Sequence, residues 1–191
     1  MDIKHTAIKL LGAAALACTA LTAGAATTVV DFDDLTGSGQ VADGYGGITW
    51  GGNWSFYDNA QSPYNPASGA ERVYNYADRN FSFDAPVVFG GAAFAGYGTA
   101  YGLSLVSFDL YYQGQLVATS GQLDDSGTPT FLSSGYNGLV DSVHVNGSGG
   151  YFVMDDVTYS TAAAVPEPQN VALMLAGLAL VGGMARRARK A

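Results

Sequence analysis

The chain reads as an all-β protein, a single β-sandwich carried between an N-terminal signal peptide and a C-terminal transmembrane helix. Three observations predict this. From Thr27 to Ala164, short alternating apolar runs are separated by Gly, Asn, Asp and Pro, the pattern of half-buried strands joined by tight turns. The same stretch holds almost no uninterrupted Ala/Leu/Glu/Lys segment of helical length. The two long apolar runs, Leu10–Leu21 and Val171–Ala185, both lie outside it. No repeat period points to a solenoid or propeller.

The first element is the export signal, residues 1–25. Lys4 and Lys9 precede the apolar run, and Ala23-Gly24-Ala25 supplies the small residues of a cleavage site, so cleavage is expected after Ala25 or Ala26. The only cysteine, Cys18, follows Ala15-Leu16-Ala17. That outlines a lipoprotein site with Ala where Leu is usual; the plainer reading is a residue removed with the peptide. The mature chain then has no thiol, which excludes disulfides, a cysteine nucleophile and thiolate metal ligands.

The body, residues 26–160, is long enough for one core. Thr28–Phe32 opens as a strand and runs into Asp33-Asp34, and Gly37–Gly44 reads as a loop. Gly47–Trp50 and Trp54–Tyr57 are short strands about Gly51-Gly52-Asn53, while Pro63 and Pro66 make Asn59–Gly69 irregular. Arg72–Tyr76 and Asn80–Phe83 follow, and Pro86 introduces a separate strand over Val87–Tyr97. Leu103–Tyr112 alternates most clearly, and Gln113-Gly114 turns it into Gln115–Ser120. Thr130–Ser133, Leu139–Val145 and Gly150–Tyr159 complete about nine or ten strands.

Charge is sharply segregated. Fourteen of the 16 acidic residues but only Arg72 and Arg79 among the 8 basic ones fall in the body, giving it a net charge of −12. Such a surface repels nucleic acid, which gains no counterion release from it.

The last element comprises a small-residue linker, 161–165, and a tail, 166–191. The tail runs from Pro166-Glu167-Pro168 through the apolar Val171–Ala185 to Arg186, Arg187, Arg189 and Lys190. A membrane helix is expected over about 170–185, although its 15 apolar residues give only roughly 22 Å against a hydrocarbon core of about 30 Å. Arginines held on the cytoplasmic side would leave the body outside. Val165-Pro166-Glu167-Pro168, the apolar span and Arg186-Arg187 together resemble the PEP-CTERM sorting signal of Gram-negative exported proteins. The resemblance implies processing by exosortase, a membrane protease-transpeptidase, after an inner-membrane intermediate. The short, glycine-rich span (Gly177, Gly182, Gly183) suits a tail that is cut off.

Acids gather at the first and last strands: Asp31, Asp33 and Asp34 in one, Asp155 and Asp156 in the other. Alternation puts Asp155 on the face of Val153 and Val157, or Asp156 on that of Phe152 and Met154. One carboxylate therefore lies at or near the core and needs a partner. Two readings stand: a structural calcium held by Asp155, Asp156 and Asp33, or carboxylates satisfied by hydrogen bonds or solvent. Asp31–Leu35, Gly44–Trp50 and Phe152–Val157 also resemble galactose-binding-like and carbohydrate-binding-module jelly rolls. There the closing Asp-Asp-Val strand lies beside the first and often helps hold calcium.

Catalytic groupings are thin. His144 is the body's only histidine, with Ser142 able to share its face and Asp141 not. No triad is signalled, and one histidine without cysteine argues against zinc. The Gly44–Gly47 and Gly96–Gly98 clusters lack the Lys-Ser/Thr of a phosphate loop. The aromatics are the better hint: tyrosines and tryptophans, several of them beside Gly or Asn and with Trp50, Trp54 and Tyr57 foremost, could stack on sugar rings, or simply pack the core. The expectation is an exported, surface-sorted, non-enzymatic structural or interaction protein of the envelope or exopolysaccharide matrix; the alternative is a lectin-like module. Expected partners are the secretion machinery, exosortase, the membrane through the tail before processing, and polysaccharide.

Overall fold

The computed structural model describes residues 25–101, 105–161 and 168–188. The expected signal peptide with Cys18, Val165-Pro166-Glu167, Arg189 and Lys190, and all but Thr161 of the linker, lie outside the described residues, apart from Ala25 at the peptide's end. Twelve strands occur among the described residues: β1 (Thr27–Val30), β2 (Ser38–Gln40), β3 (Ile48–Thr49), β4 (Ser55–Tyr57), β5 (Arg72–Tyr76), β6 (Arg79–Gly96), β7 (Leu105–Tyr112), β8 (Gln115–Thr119), β9 (Leu123–Asp124), β10 (Thr130–Ser133), β11 (Val140–Asn146) and β12 (Tyr151–Thr161). The fold is all-β, built on one large antiparallel sheet in the order β2-β4-β5-β12-β6-β11-β7-β8. In addition β1 flanks β12, β3 and β10 flank β6, and β9 pairs with β7.

Two strands exceed the sequence expectation. β2 falls in the stretch read as a loop; all three of its residues are exposed, so no apolar alternation marks it. β9 is only two residues long. At Pro86 the sequence predicts a break, yet β6 runs through it for 18 residues. The exposed proline sits where the register against β11 shifts, between the Ser82–Ser142 and Val87–Val140 pairs, so its missing N–H interrupts no regular ladder. The hairpin turn behaves as expected: Gln113 and Gly114 both have positive φ, 51° and 74°, the backbone that matches strand twist in a two-residue loop.

β6 organises the core by changing partners along its length. Its first part pairs with β11 and β3, its second with β12 and β10. Phe89 and Phe94 of the second part meet Phe108 of β7 at ring-centroid distances of 5.0 and 5.5 Å, so strands with no mutual ladder share one interior. Each fully buried phenylalanine there contributes roughly 1.5–3 kcal/mol. Trp54 bridges Phe81 and Phe152 at 6.1 and 6.0 Å. Its indole N–H reaches the Asn80 carbonyl at 3.0 Å, and that of Trp50 the Tyr45 carbonyl at 3.0 Å, which satisfies both buried donors.

The acidic strand ends depart from simple alternation. Phe152 and Met154 point into the core as a period of two requires, Val153 and Asp155 are buried outside the core cluster, and the next core pair is Val157 and Tyr159. The register against β6 slips between Asp155 and Thr158, and Asp156 sits in the left-handed region at φ 49°. This bulge removes both aspartates from the core-facing row. Phe32 likewise has φ 60°, which seats its ring in the core while Asp31, Asp33 and Asp34 stay exposed.

A helix, α1, forms over Pro168–Ala188, with proline at the first position, where its missing N–H costs nothing. Arg186 and Arg187 occupy its last turn, favourably placed toward the negative end of the dipole. The transmembrane helix expected over about 170–185 is not found: no helix among the described residues is long and apolar enough to cross a membrane. The extra helical length comes from Gln169 and Asn170 at one end and the arginines at the other, while three glycines dilute the apolar centre.

Candidate functional site

The site forms on the outer face of β4, β5 and β12. Along β5, Val73 and Asn75 turn inward, and Arg72, Tyr74 and Tyr76 outward. Registers place Tyr57 opposite Arg72, Tyr74 opposite Val153, and Tyr76 opposite Tyr151. Opposite residues in a ladder share a face, so these strands carry a row of tyrosines outward. Tyr57 and Tyr74 meet edge to face at 5.2 Å, and Tyr76 and Tyr151 meet tilted at 4.9 Å.

The loop between β4 and β5 folds back over part of this face. Buried Arg72 draws it in. Its Nε donates to the Tyr64 carbonyl at 2.9 Å, Nη1 to those of Ala70 at 2.9 Å and Tyr57 at 3.4 Å, and Nη2 to that of Asn59 at 2.6 Å. Asn65 ties the loop to the Gly127 carbonyl at 2.8 Å. Tyr64 then meets Tyr97 at 5.3 Å. Two residues beyond Tyr97, the backbone N–H and hydroxyl of Thr99 donate to Asp124 at 3.0 and 2.5 Å.

The acidic residues hold the same loop. Asp155 Oδ2 accepts from the backbone N–H groups of Ala67 and Ser68 at 2.8 and 3.0 Å, and its Oδ1 from that of Asp156 at 2.8 Å. Asp156 accepts from the Ser68 hydroxyl at 2.8 Å, and Asp33 from the Ala70 N–H at 3.2 Å. Gly69 lies between these contacts at φ 45°, and a Cβ there would overlap the Asp33 carboxylate. The three residues expected as calcium ligands are thus gathered around one four-residue segment and bonded to it. Among the described residues no group of three His, Cys, Asp or Glu side chains is placed to hold a metal ion. Each of the three carboxylates accepts at least one hydrogen bond from this segment.

Burial pushes the Asp155 carboxyl up to about 7, despite three N–H donors that favour its charge. Glu71, almost wholly buried, has an Oε2 with no partner among the described residues. Burial, then the charge of Asp58, raises its carboxyl as well. Burial also raises the phenols of Tyr57 and Tyr64, which keeps both protonated near neutrality.

Between loop and sheet lies an open cavity of about 560 Å³, lined by Tyr57, Gln61, Tyr64, Tyr74, Tyr97, Tyr151, Phe152 and Val153. Its size falls in the range of small-ligand sites. Trp50 and Trp54, expected to face a ligand, are corrected here: both are fully buried in the core and present no ring to solvent. The reason is packing, since Trp50, Trp54 and Phe81 form a mutual aromatic cluster at 5.4–6.1 Å. Only Tyr57 of the three lines the cavity. Tyr74 and Tyr151, beside Asn75 and Gly150, share the sequence context of the expected aromatics without having been singled out; the alternation of Tyr74 and Tyr76 against Val73 and Asn75 was the signal that separates outward rings from core ones.

A smaller cavity of about 280 Å³ does bring Asp141, Ser142 and His144 together with Asn80 and Tyr111. The Asp141 carboxylate is already engaged by the Gln113 N–H at 2.6 Å, and Ser142 leans toward the Phe81 carbonyl at 3.4 Å. Neither is directed at the histidine as a relay requires. Compared with protein-family models, curated proteins and solved structures, the chain matches none of them.

Proposed function

We propose that this chain is an exported, surface-sorted, non-enzymatic interaction protein of the cell envelope or exopolysaccharide matrix. The observation carrying the interaction role is the tyrosine-lined cavity, open to solvent and built on a rigid sheet. The change of partners along β6 supports a jelly-roll-like sandwich. The order Pro166-Glu167-Pro168, apolar run, Arg186-Arg187 supports a PEP-CTERM-type tail that exosortase removes, engaging the membrane only before processing. Mass spectrometry of the protein from envelope and medium tests this. Chains trimmed near Ala25 and near Val165 are expected; recovery of untrimmed Met1–Ala191 from the cytosol alone would overturn it.

The cavity favours a second, narrower reading, a lectin-like module. Tyrosine offers a large apolar face at low conformational cost together with a hydroxyl, which is what a sugar's mixed faces require. Binding to a glycan array that is weakened by Tyr74→Ala is the expected result; an array with no signal removes this reading and leaves the sorting proposal untouched.

A further inference from the structure

The lining of the large cavity holds five tyrosines, a glutamine, a phenylalanine and a valine, and no ionisable acid or base of ordinary range. Around it the body carries a net charge of −12, a field that disfavours polyanions. A cationic ligand, though drawn by that field, finds no carboxylate among the lining residues, and the Tyr57 ring is already taken by Arg72 at 3.8 Å from its centroid. Two tyrosine pairs meet nearly at right angles, Tyr57–Tyr74 at 86° and Tyr64–Tyr97 at 89°, so the walls offer both ring faces and hydroxyl-bearing edges. The cavity also borders an exposed aromatic pair. Tyr151 belongs both to its lining and to the exposed pair with Tyr76, in which the two residues are 53% and 49% exposed.

We propose that this cavity and the Tyr76–Tyr151 shelf form one binding site for an uncharged polysaccharide chain. A segment of several sugars lies along the sheet with its C–H faces on tyrosine rings and its hydroxyls toward Gln61 and the phenols. The inference rests on the lectin-like reading above and adds to it the place, the neutrality and the chain length of the ligand. It also gives the loop clamp a purpose: Arg72, Asp155 and Asp33 hold Gln61 and Tyr64 over the sheet, so the polar wall is preformed and its ordering cost is met on folding rather than on binding.

The test uses the full chain, titrated calorimetrically with neutral β-1,4-glucan, β-1,3-glucan, mannan and galactan hexamers, their monomers, a polyuronate hexamer and tetramethylammonium. At least one neutral hexamer is expected to bind at least about tenfold more tightly than its monomer, with Tyr151→Ala and Gln61→Ala each weakening it about tenfold. Tyr151→Phe, which keeps the ring, should stay within about threefold of wild type. Tyr151 is half exposed, so an unchanged melting temperature of its variants guards against misfolding. Preference for the uronate or the ammonium ion overturns the neutrality claim. Hexamer binding that both alanine variants leave intact overturns the location. No binding to any glycan removes the lectin-like reading itself, and this inference with it.

Discussion

The guanidinium of Arg72 stacks on the ring of Tyr57 at 3.8 Å while donating to three loop carbonyls and to that of Tyr57 itself. A buried cation is therefore stabilised by peptide dipoles and a ring face, and its planar fork fixes the loop's path. Lysine has no such fork. Arg72→Lys is expected to cost about 2–4 kcal/mol by leaving buried carbonyls unpaired, read by urea denaturation, and to speed proteolytic cleavage within residues 59–70.

Asp155 gives the protein a pH dependence of definite sign. Its carboxyl titrates near 7 in the fold against an ordinary 3.8, so the folded state binds the proton more tightly than the unfolded one. The resulting stabilisation is complete below the unfolded value and is lost as pH rises through the folded one. Asp155→Asn should therefore flatten the fall in melting temperature between about pH 4 and pH 8. An unchanged slope in the variant would assign the titration elsewhere.

Gly69 is fixed by its surroundings. Gly69→Ala places a methyl group against the Asp33 carboxylate and an L-residue at φ 45°, with an expected loss of about 1–3 kcal/mol. Combining it with Asp33→Ala should recover the steric part and leave the backbone penalty, about 1 kcal/mol. A double-mutant cycle in denaturant separates the two.

Core and cavity aromatics should part cleanly. Trp54→Ala opens the interior between Phe81 and Phe152 and is expected to cost about 3–5 kcal/mol. Tyr151→Ala, at a half-exposed position, should cost under about 1 kcal/mol. Equal losses in calorimetric melting would contradict the assignment of one to packing and the other to ligand contact.

Calcium should leave the melting temperature unchanged, and so should a chelator. The Asp33, Asp155 and Asp156 oxygens are bonded to loop N–H and hydroxyl groups, and a ligand stabilises only where it finds a site in the folded state. A rise that grows with calcium concentration would restore the metal reading.

Strand existence was legible wherever alternation or turn chemistry was strong: Arg72–Tyr76, Thr130–Ser133 and the Gln113-Gly114 hairpin needed nothing beyond period and φ. β2 was not, since a strand exposed on both faces carries no pattern. Pro86 misled because a proline argues against a strand only where its N–H would face a ladder, and the register that decides this is a tertiary property. The convergence of Asp33 and Asp155 was partly readable, as first and last strands with shared chemistry. What they grip was not: a backbone N–H has no sequence signature. The tryptophans failed as site residues for a similar reason, since the neighbouring Gly51 and Asn53 mark a turn rather than exposure.

β12 pairs with β1, β5 and β6, so the strand nearest the C-terminus lies at the centre of the ladder. A chain emerging amino end first, from a ribosome or a translocation pore, therefore holds β1 and β5 without their neighbour until about residue 161 has come through. Closure of the interior must wait for that segment.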